Sequence, residues 1–198
     1  SEEKLRALSE QLHCDMEVCD VSDAKHTEEA AQSILARHPK IDVLINNAGL
    51  WIQGALEENP PEQIEQVLDV NVKGTILFSR ALLPHFKQQS GSLIINVISQ
   101  SGLKAKAERS IYGASKWAIT GFTKALQEEA AKFGVRVSGL YPGTLNTPFF
   151  ERDGNTNSKD MSKALEPEEV ARAIEFLIDC PPQVLIPELG IKNVKQFS

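Results

Sequence analysis

Short apolar runs alternate with longer stretches of helical spacing along this chain. In residues 1–12, Leu5, Leu8 and Leu12 fall on one helical face with charged residues between them. Residues 15–21 read as a short strand. Residues 24–38 read as a helix, capped by Ser22 or Asp23 and stopped by Pro39. Ile41–Ile45 reads as a strand buried on both faces, and Leu50–Asn59 as a loop carrying Trp51. Pro60 and Pro61 suit the first turn of a long helical stretch, with Ile64, Val67 and Leu68 as its apolar stripe, running to about Lys87. Leu93–Ile98 is a buried strand ending at Ser99. Ser101–Arg109 is then a loop, Tyr112–Phe133 a helix closed by Gly134, and Val135–Leu140 an alternating strand. A long polar loop, Phe149–Leu165, precedes an amphipathic helix over Glu166–Cys180. Val184–Ile191 reads as a last strand, which Pro187 places at a sheet edge or a bulge.

The chemistry concentrates in Tyr112-Gly-Ala-Ser-Lys116. Four residues apart on a helix, the two side chains share a face, one turn apart. A phenol ionises near pH 10 when unperturbed, and a cation one turn away favours its phenolate. The pair can therefore be a proton donor with its own tuning charge, while the same spacing alone also fits a solvated helix face. Ser99 lies thirteen residues upstream, at the carboxyl end of a strand, where open α/β sheets place ligands. Further upstream stand Asn71 and the turn Asn46-Asn47-Ala48-Gly49; downstream comes Tyr141-Pro-Gly-Thr-Leu-Asn-Thr147.

Composition narrows the class. The chain has 198 residues, enough for one domain with a sizeable core, and a net charge of −6, which argues against nucleic acid and anionic membranes as partners. Three cysteines without paired spacing fit a reducing compartment. His13, Cys14 and Cys19 match no common zinc pattern, so no metal is expected. With no signal peptide and no apolar run long enough to cross a bilayer, the expected location is the cytoplasm.

Taken in order and spacing, Asn-Asn-Ala-Gly, Asn71, Ser99, Tyr-x-x-x-Lys and Pro-Gly-x-x-x-Thr resemble the short-chain dehydrogenase/reductase family, from about Asp20 to the end. The resemblance implies a Rossmann-like α/β fold, a doubly wound parallel sheet in three α/β/α layers. It implies NADP or NAD as cofactor, with a lean to NADP, and a small carbonyl or alcohol substrate. It makes Asn71, Ser99, Tyr112 and Lys116 the catalytic set: Ser99 orients the carbonyl, Tyr112 gives the proton, Lys116 lowers the pKa of Tyr112 and holds the nicotinamide ribose, and Asn71 helps pass protons. Asp20 and Val21 would lie by the adenine. Asn46, Ala48 and Gly49 would lie by the adenosine ribose, and Pro142, Gly143, Leu145 and Thr147 by the nicotinamide. Asn71, Tyr112 and Lys116 complete the cofactor set. A homodimer or homotetramer is implied through the helices of Asn71 and Tyr112, and the loop after Phe149 resembles a lid.

One departure stands out. No glycine precedes Asp20, so the family's glycine-rich phosphate turn and first βαβ unit are absent from this sequence. The expectation is an N-terminal segment ahead of Ser1. The alternative is a truncated, non-catalytic relative serving as a binding or interaction module.

Overall fold

The computed structural model describes residues 2–153 and 161–197. Four parallel strands form one sheet in the order β1 (Val43–Asn46), β2 (Leu93–Val97), β3 (Arg136–Pro142) and β4 (Glu188–Ile191). Six α-helices accompany them among the described residues: α1 (Glu2–Leu12), α2 (Ala24–Arg37), α3 (Pro61–Leu68), α4 (Thr75–Phe86), α5 (Ser110–Ala131) and α6 (Pro167–Asp179). The register aligns Leu44 with Ile94 and Ile94 with Val137, so every strand points its carboxyl end the same way.

Side-chain alternation along the strands builds the two faces. Ile94 and Val137 pack with Ala31 of α2, Leu82 and Phe86 of α4, and Leu126 and Ala130 of α5. Leu93, Ile95 and Leu140 point the other way, onto Leu165 and onto Val170, Ala173 and Leu177 of α6. The result is the expected three-layer α/β/α arrangement, driven by burial on both sides of one sheet. β4 follows Pro187 and is an edge strand, as that proline predicted.

The expected strand at residues 15–21 does not form: the segment runs without sheet pairing. A strand needs a hydrogen-bonded neighbour, and no described strand lies beside it. β1 is the other edge of the sheet among the described residues, and its Ile45 is exposed. Residues 154–160 of the expected lid lie outside the described residues. The remainder of that stretch forms 3₁₀ turns at Pro148–Asp153 and Met161–Lys163.

The stretch between α3 and α4 departs from α-helical spacing. Asp69–Gly74 is a π-helical segment, so a single long helix is interrupted at Asn71. The wider turn shifts the helix register and brings Gly74 against Val21. A β-carbon on Gly74 would stand 3.1 Å from the Val21 carbonyl oxygen. Gly102 is tighter still: a β-carbon there would meet Ile98 Cγ2 and Thr120 Oγ1, each at 2.7 Å. That glycine lets the end of β2 lie directly on α5. Gly102→Ala should lower stability by about 1–3 kcal/mol. Urea unfolding checks this, and an unchanged midpoint would contradict it.

Candidate active site

The strands end at a cleft of about 1390 Å³. The turn after β1 supplies Asn47, Ala48 and Gly49 to its wall. The end of β2 supplies Ser99, and α5 supplies Tyr112 and Lys116. The segment after β3 supplies Pro142, Gly143, Leu145 and Thr147, and Asp20 and Val21 stand at its margin. Of the expected residues, only Asn46 and Asn71 lie behind this lining.

Asn46 belongs to the interior. It is the last residue of β1 and shares the parity of Leu44, which faces α4. Its amide donates to Ser79 at 3.0 Å and to Asn96 at 2.8 Å, and Asn96 in turn donates to Thr123 at 2.8 Å. This ladder ties β1 and β2 to α4 and α5 and pairs both ends of the buried Asn96 amide. Asn46 therefore anchors the turn that follows rather than facing the cleft.

Asn71 is buried and clamps that turn from behind. Its Oδ1 accepts from Leu50 N at 2.6 Å, and its Nδ2 donates to the Leu50 carbonyl at 2.9 Å and to Ser115 at 3.1 Å. The hydroxyl of Thr75 donates to the Asn71 carbonyl at 3.1 Å. Asp20 fills a turn role, accepting from the backbone and the hydroxyl of Ser22, while Asp23 caps α2.

Ser99 sits in a backbone region that L-residues rarely occupy, with φ 150° and ψ 159°. Such a conformation costs on the order of 1–3 kcal/mol and persists only where its surroundings impose it. Here Ile98 is buried on one side, and Gly102 packs on α5 on the other. The Ser99 hydroxyl accepts from Ser101 N at 3.1 Å and also reaches Tyr112, where it favours the phenolate.

Tyr112 and Lys116 are both buried. Lys116 Nζ donates to the Val97 carbonyl at 3.2 Å and lies 5.7 Å from the centre of the Tyr112 ring. Burial pulls the Lys116 ammonium down to about 8. Burial likewise pushes the Tyr112 phenol up to about 12, against the opposing pull of Ser99 and then of Arg109. This corrects the expectation that Lys116 holds the tyrosine below its ordinary value. Desolvation disfavours the charged form of each group and is the largest influence on both. Arg109, three residues before Tyr112, carries the cationic influence instead. A charged loop residue has no periodic signature that would mark it.

An aromatic wall faces the tyrosine. The Trp51 ring centre lies 4.5 Å from that of Tyr112 and 5.0 Å from that of Phe150, and Phe149 lies 6.4 Å from Tyr112. Trp51 is thus at once a packing residue and part of the cleft lining. The segment after β3 is held by Gln196, whose amide donates to Thr144 O at 3.1 Å and Lys163 O at 2.8 Å. Leu165 N donates to Thr144 O, and Asn146 N to Leu165 O, each at 2.8 Å. Gln196 escaped the sequence reading because its partners are main-chain atoms distant in sequence.

These residues fit a nicotinamide cofactor. A β-carbon on Gly49 would stand 3.4 Å from Asn71 Oδ1 and 3.8 Å from Lys116 Nζ, so glycine keeps that floor open to a ligand. Lys116 presents a desolvated hydrogen-bond donor beside it. Among the described residues no helix is long and apolar enough to cross a membrane.

Comparison with known proteins agrees with this geometry. The sequence matches the short chain dehydrogenase family over residues 1–158. It is 35% identical over 180 residues to carbonyl reductase family member 4 of Xenopus tropicalis, covering 88% of this chain and 76% of that one. The fold is similar to serine dehydrogenase complexed with NADP+, with TM-score 0.91 and 29% identity over 98% of this chain and 82% of the other. It is also similar to an alcohol dehydrogenase from the archaeon Thermococcus sibiricus complexed with 5-hydroxy-NADP, with TM-score 0.85 and 27% identity over 98% and 81%. A parallel sheet whose strand ends meet a serine, with a tyrosine and a lysine on the adjoining helix, together with these likenesses, makes this chain a member of the short-chain dehydrogenase family of oxidoreductases.

Proposed function

We propose that the protein catalyses reversible hydride transfer between NADP and a carbonyl or alcohol substrate, with Tyr112 as proton donor and acceptor. The observation that carries this reading is the placement of Ser99, Tyr112 and Lys116 along one cleft wall, with an aromatic surface facing the tyrosine. NADP is favoured over NAD because the solved neighbours carry NADP+ and 5-hydroxy-NADP. The bound nicotinamide supplies the hydride in reduction and takes it in oxidation.

Ser99 donates a hydrogen bond to the carbonyl oxygen and polarises it. As the carbon gains the hydride, Tyr112 gives its phenolic proton to the oxygen, leaving an alcohol and a phenolate. Burial keeps the phenol protonated at neutral pH, which suits an acid in the reducing direction. The Lys116 ammonium opposes the charge left on Tyr112 and binds the nicotinamide ribose. Asn71 holds the Gly49 turn and Ser115 in register and helps return a proton to Tyr112. Asp20, Val21, Ala48 and Gly49 line the adenosine end, and Pro142, Gly143, Leu145 and Thr147 the nicotinamide end. The same reading makes the protein a homodimer or homotetramer through α4 and α5, and Trp117 of α5 is left exposed in the single chain.

Two outcomes test the reading. Tyr112→Phe should lower turnover by about 10²–10⁴-fold while NADPH still binds, as read by fluorescence titration. Turnover within a few-fold of the original would contradict the assignment.

The second concerns Lys116, which holds its proton to about pH 8 when folded against 10.5 ordinarily. Between those values the unfolded chain binds a proton that the folded chain does not, so stability rises with pH. Below about pH 8 both states are protonated and the burial cost is felt in full. Above about pH 10 the raised Tyr112 pKa gives the opposite slope. Lys116→Met should therefore be the more stable protein at pH 7, by up to about 3 kcal/mol, and should lose the rise between pH 8 and 10. Urea titrations across this range check it. A less stable variant at pH 7, or a flat original, would count against it.

A further inference from the structure

Among the described residues, every charged side chain lining the cleft is a cation except Asp20. The chain as a whole carries 27 acidic residues against 21 Lys and Arg. Positive charge gathered in a cleft of a negative protein focuses the field for an anion. Arg109 stands beside Tyr112.

Lys106 and Arg109 belong to the loop between Ser99 and α5. Arg109 Cζ lies 5.1 Å from the centre of the Trp51 ring, and that ring meets Tyr112 at a tilt of 59° with centroids 4.5 Å apart. Lys116 approaches the tyrosine from the side of Val97 and Gly49. Tyr112 thus has one cation toward the cofactor floor and another over its aromatic neighbour. The loop that carries the second is pinned. Gly54 N donates to the Glu108 carbonyl at 2.9 Å, and Gly113 N to the Arg109 carbonyl at 2.7 Å. Glu108 between them is left-handed, with φ 59°.

These cations repel one another. Desolvation of its ammonium, then Arg109 and Lys192, lower the pKa of the largely exposed Lys106. Among the described residues no carboxylate forms an ion pair with Lys106 or Arg109, and Glu108 acts on Arg109 only as an adjacent charge. An anion placed among them would relieve the repulsion and accept charge-assisted hydrogen bonds. Its carbon skeleton would meet Trp51, Phe149 and Phe150.

We propose that the substrate is an organic anion, a carbonyl compound or its alcohol bearing a carboxylate or phosphate group that Arg109 and Lys106 bind while the reacting carbon faces Tyr112. This rests on the reading of Tyr112 as proton donor.

The test is carbonyl reduction by the full-length protein with matched pairs: oxo acids such as levulinate against their methyl esters, and hydroxyacetone phosphate against hydroxyacetone. The anion of at least one set should exceed its neutral partner in kcat/KM by about tenfold or more, with the gap shrinking at high salt. Preference within the first set alone identifies a carboxylate, and within the second alone a phosphate. In Lys106→Gln and Arg109→Gln the ratio should fall by about fivefold, mainly through KM. Lys106 is exposed, so its replacement leaves the core intact. A readout without turnover is quenching of tryptophan fluorescence by levulinate or hydroxyacetone phosphate in the presence of NADP+, which should weaken in both variants. Neutral partners reduced as well as the anions, or ratios untouched by both substitutions, would overturn this inference and leave the oxidoreductase reading standing. No reduction of any compound together with no NADPH binding would overturn both.

Discussion

An ammonium group held almost out of water, with the Val97 carbonyl as its hydrogen-bond partner, sets the terms for this cleft. Burying a lysine charge is costly, and the fold responds by drawing its pKa down to about 8. That position is fixed from three directions. The end of β2 offers the carbonyl, α5 carries the lysine on the face that meets the sheet, and Gly49 leaves space beside Nζ. A group that brings hydrogen-bond acceptors into that space would recover part of the lost solvation. In the proposed function that space is where the lysine meets the cofactor.

Much of the rest of the fold can be understood as support for that placement. The Asn46–Asn96–Thr123 ladder locks the two strands that lead to the cleft onto α5. The π-helical turn at Asn71 brings a buried amide to the back of the Asn-Asn-Ala-Gly turn, where a regular helix would have placed the side chain differently. Gly102 lets α5 lie close enough for Ser99 to reach Tyr112. The strain at Ser99 is sustained by those same contacts, which places the cost of the site in the backbone next to it.

Asn71 could be assigned only through the family resemblance, whereas Ser99 could be placed at a strand end, and Tyr112 and Lys116 on one helix face, from the periods of the chain. Four of the five expected strands formed for the same reason. The fifth, at residues 15–21, failed because alternation records what a strand would bury and says nothing about whether a neighbour is there to pair with it. Asn46 begins the expected turn but its side chain holds the interior, since the motif gives position and the parity of β1 gives direction. The sign of the Tyr112 shift was also misread. Spacing showed a cation one turn away, whereas the burial that raises the phenol is a property of the assembled layers. Arg109, Lys106 and Gln196 lie in loops or near the chain end, and only the folded chain brings them to the cleft.

The pH dependence of kcat/KM for carbonyl reduction tests the central claim most directly. A buried phenol with a pKa near 12 and a buried ammonium near 8 should give a rate that is level through neutral pH and falls as Lys116 loses its proton at about pH 8. That fall should be missing from the residual activity of Lys116→Met. A rate that rises and falls in the carboxylate range, or the same profile with and without Lys116, would contradict the account.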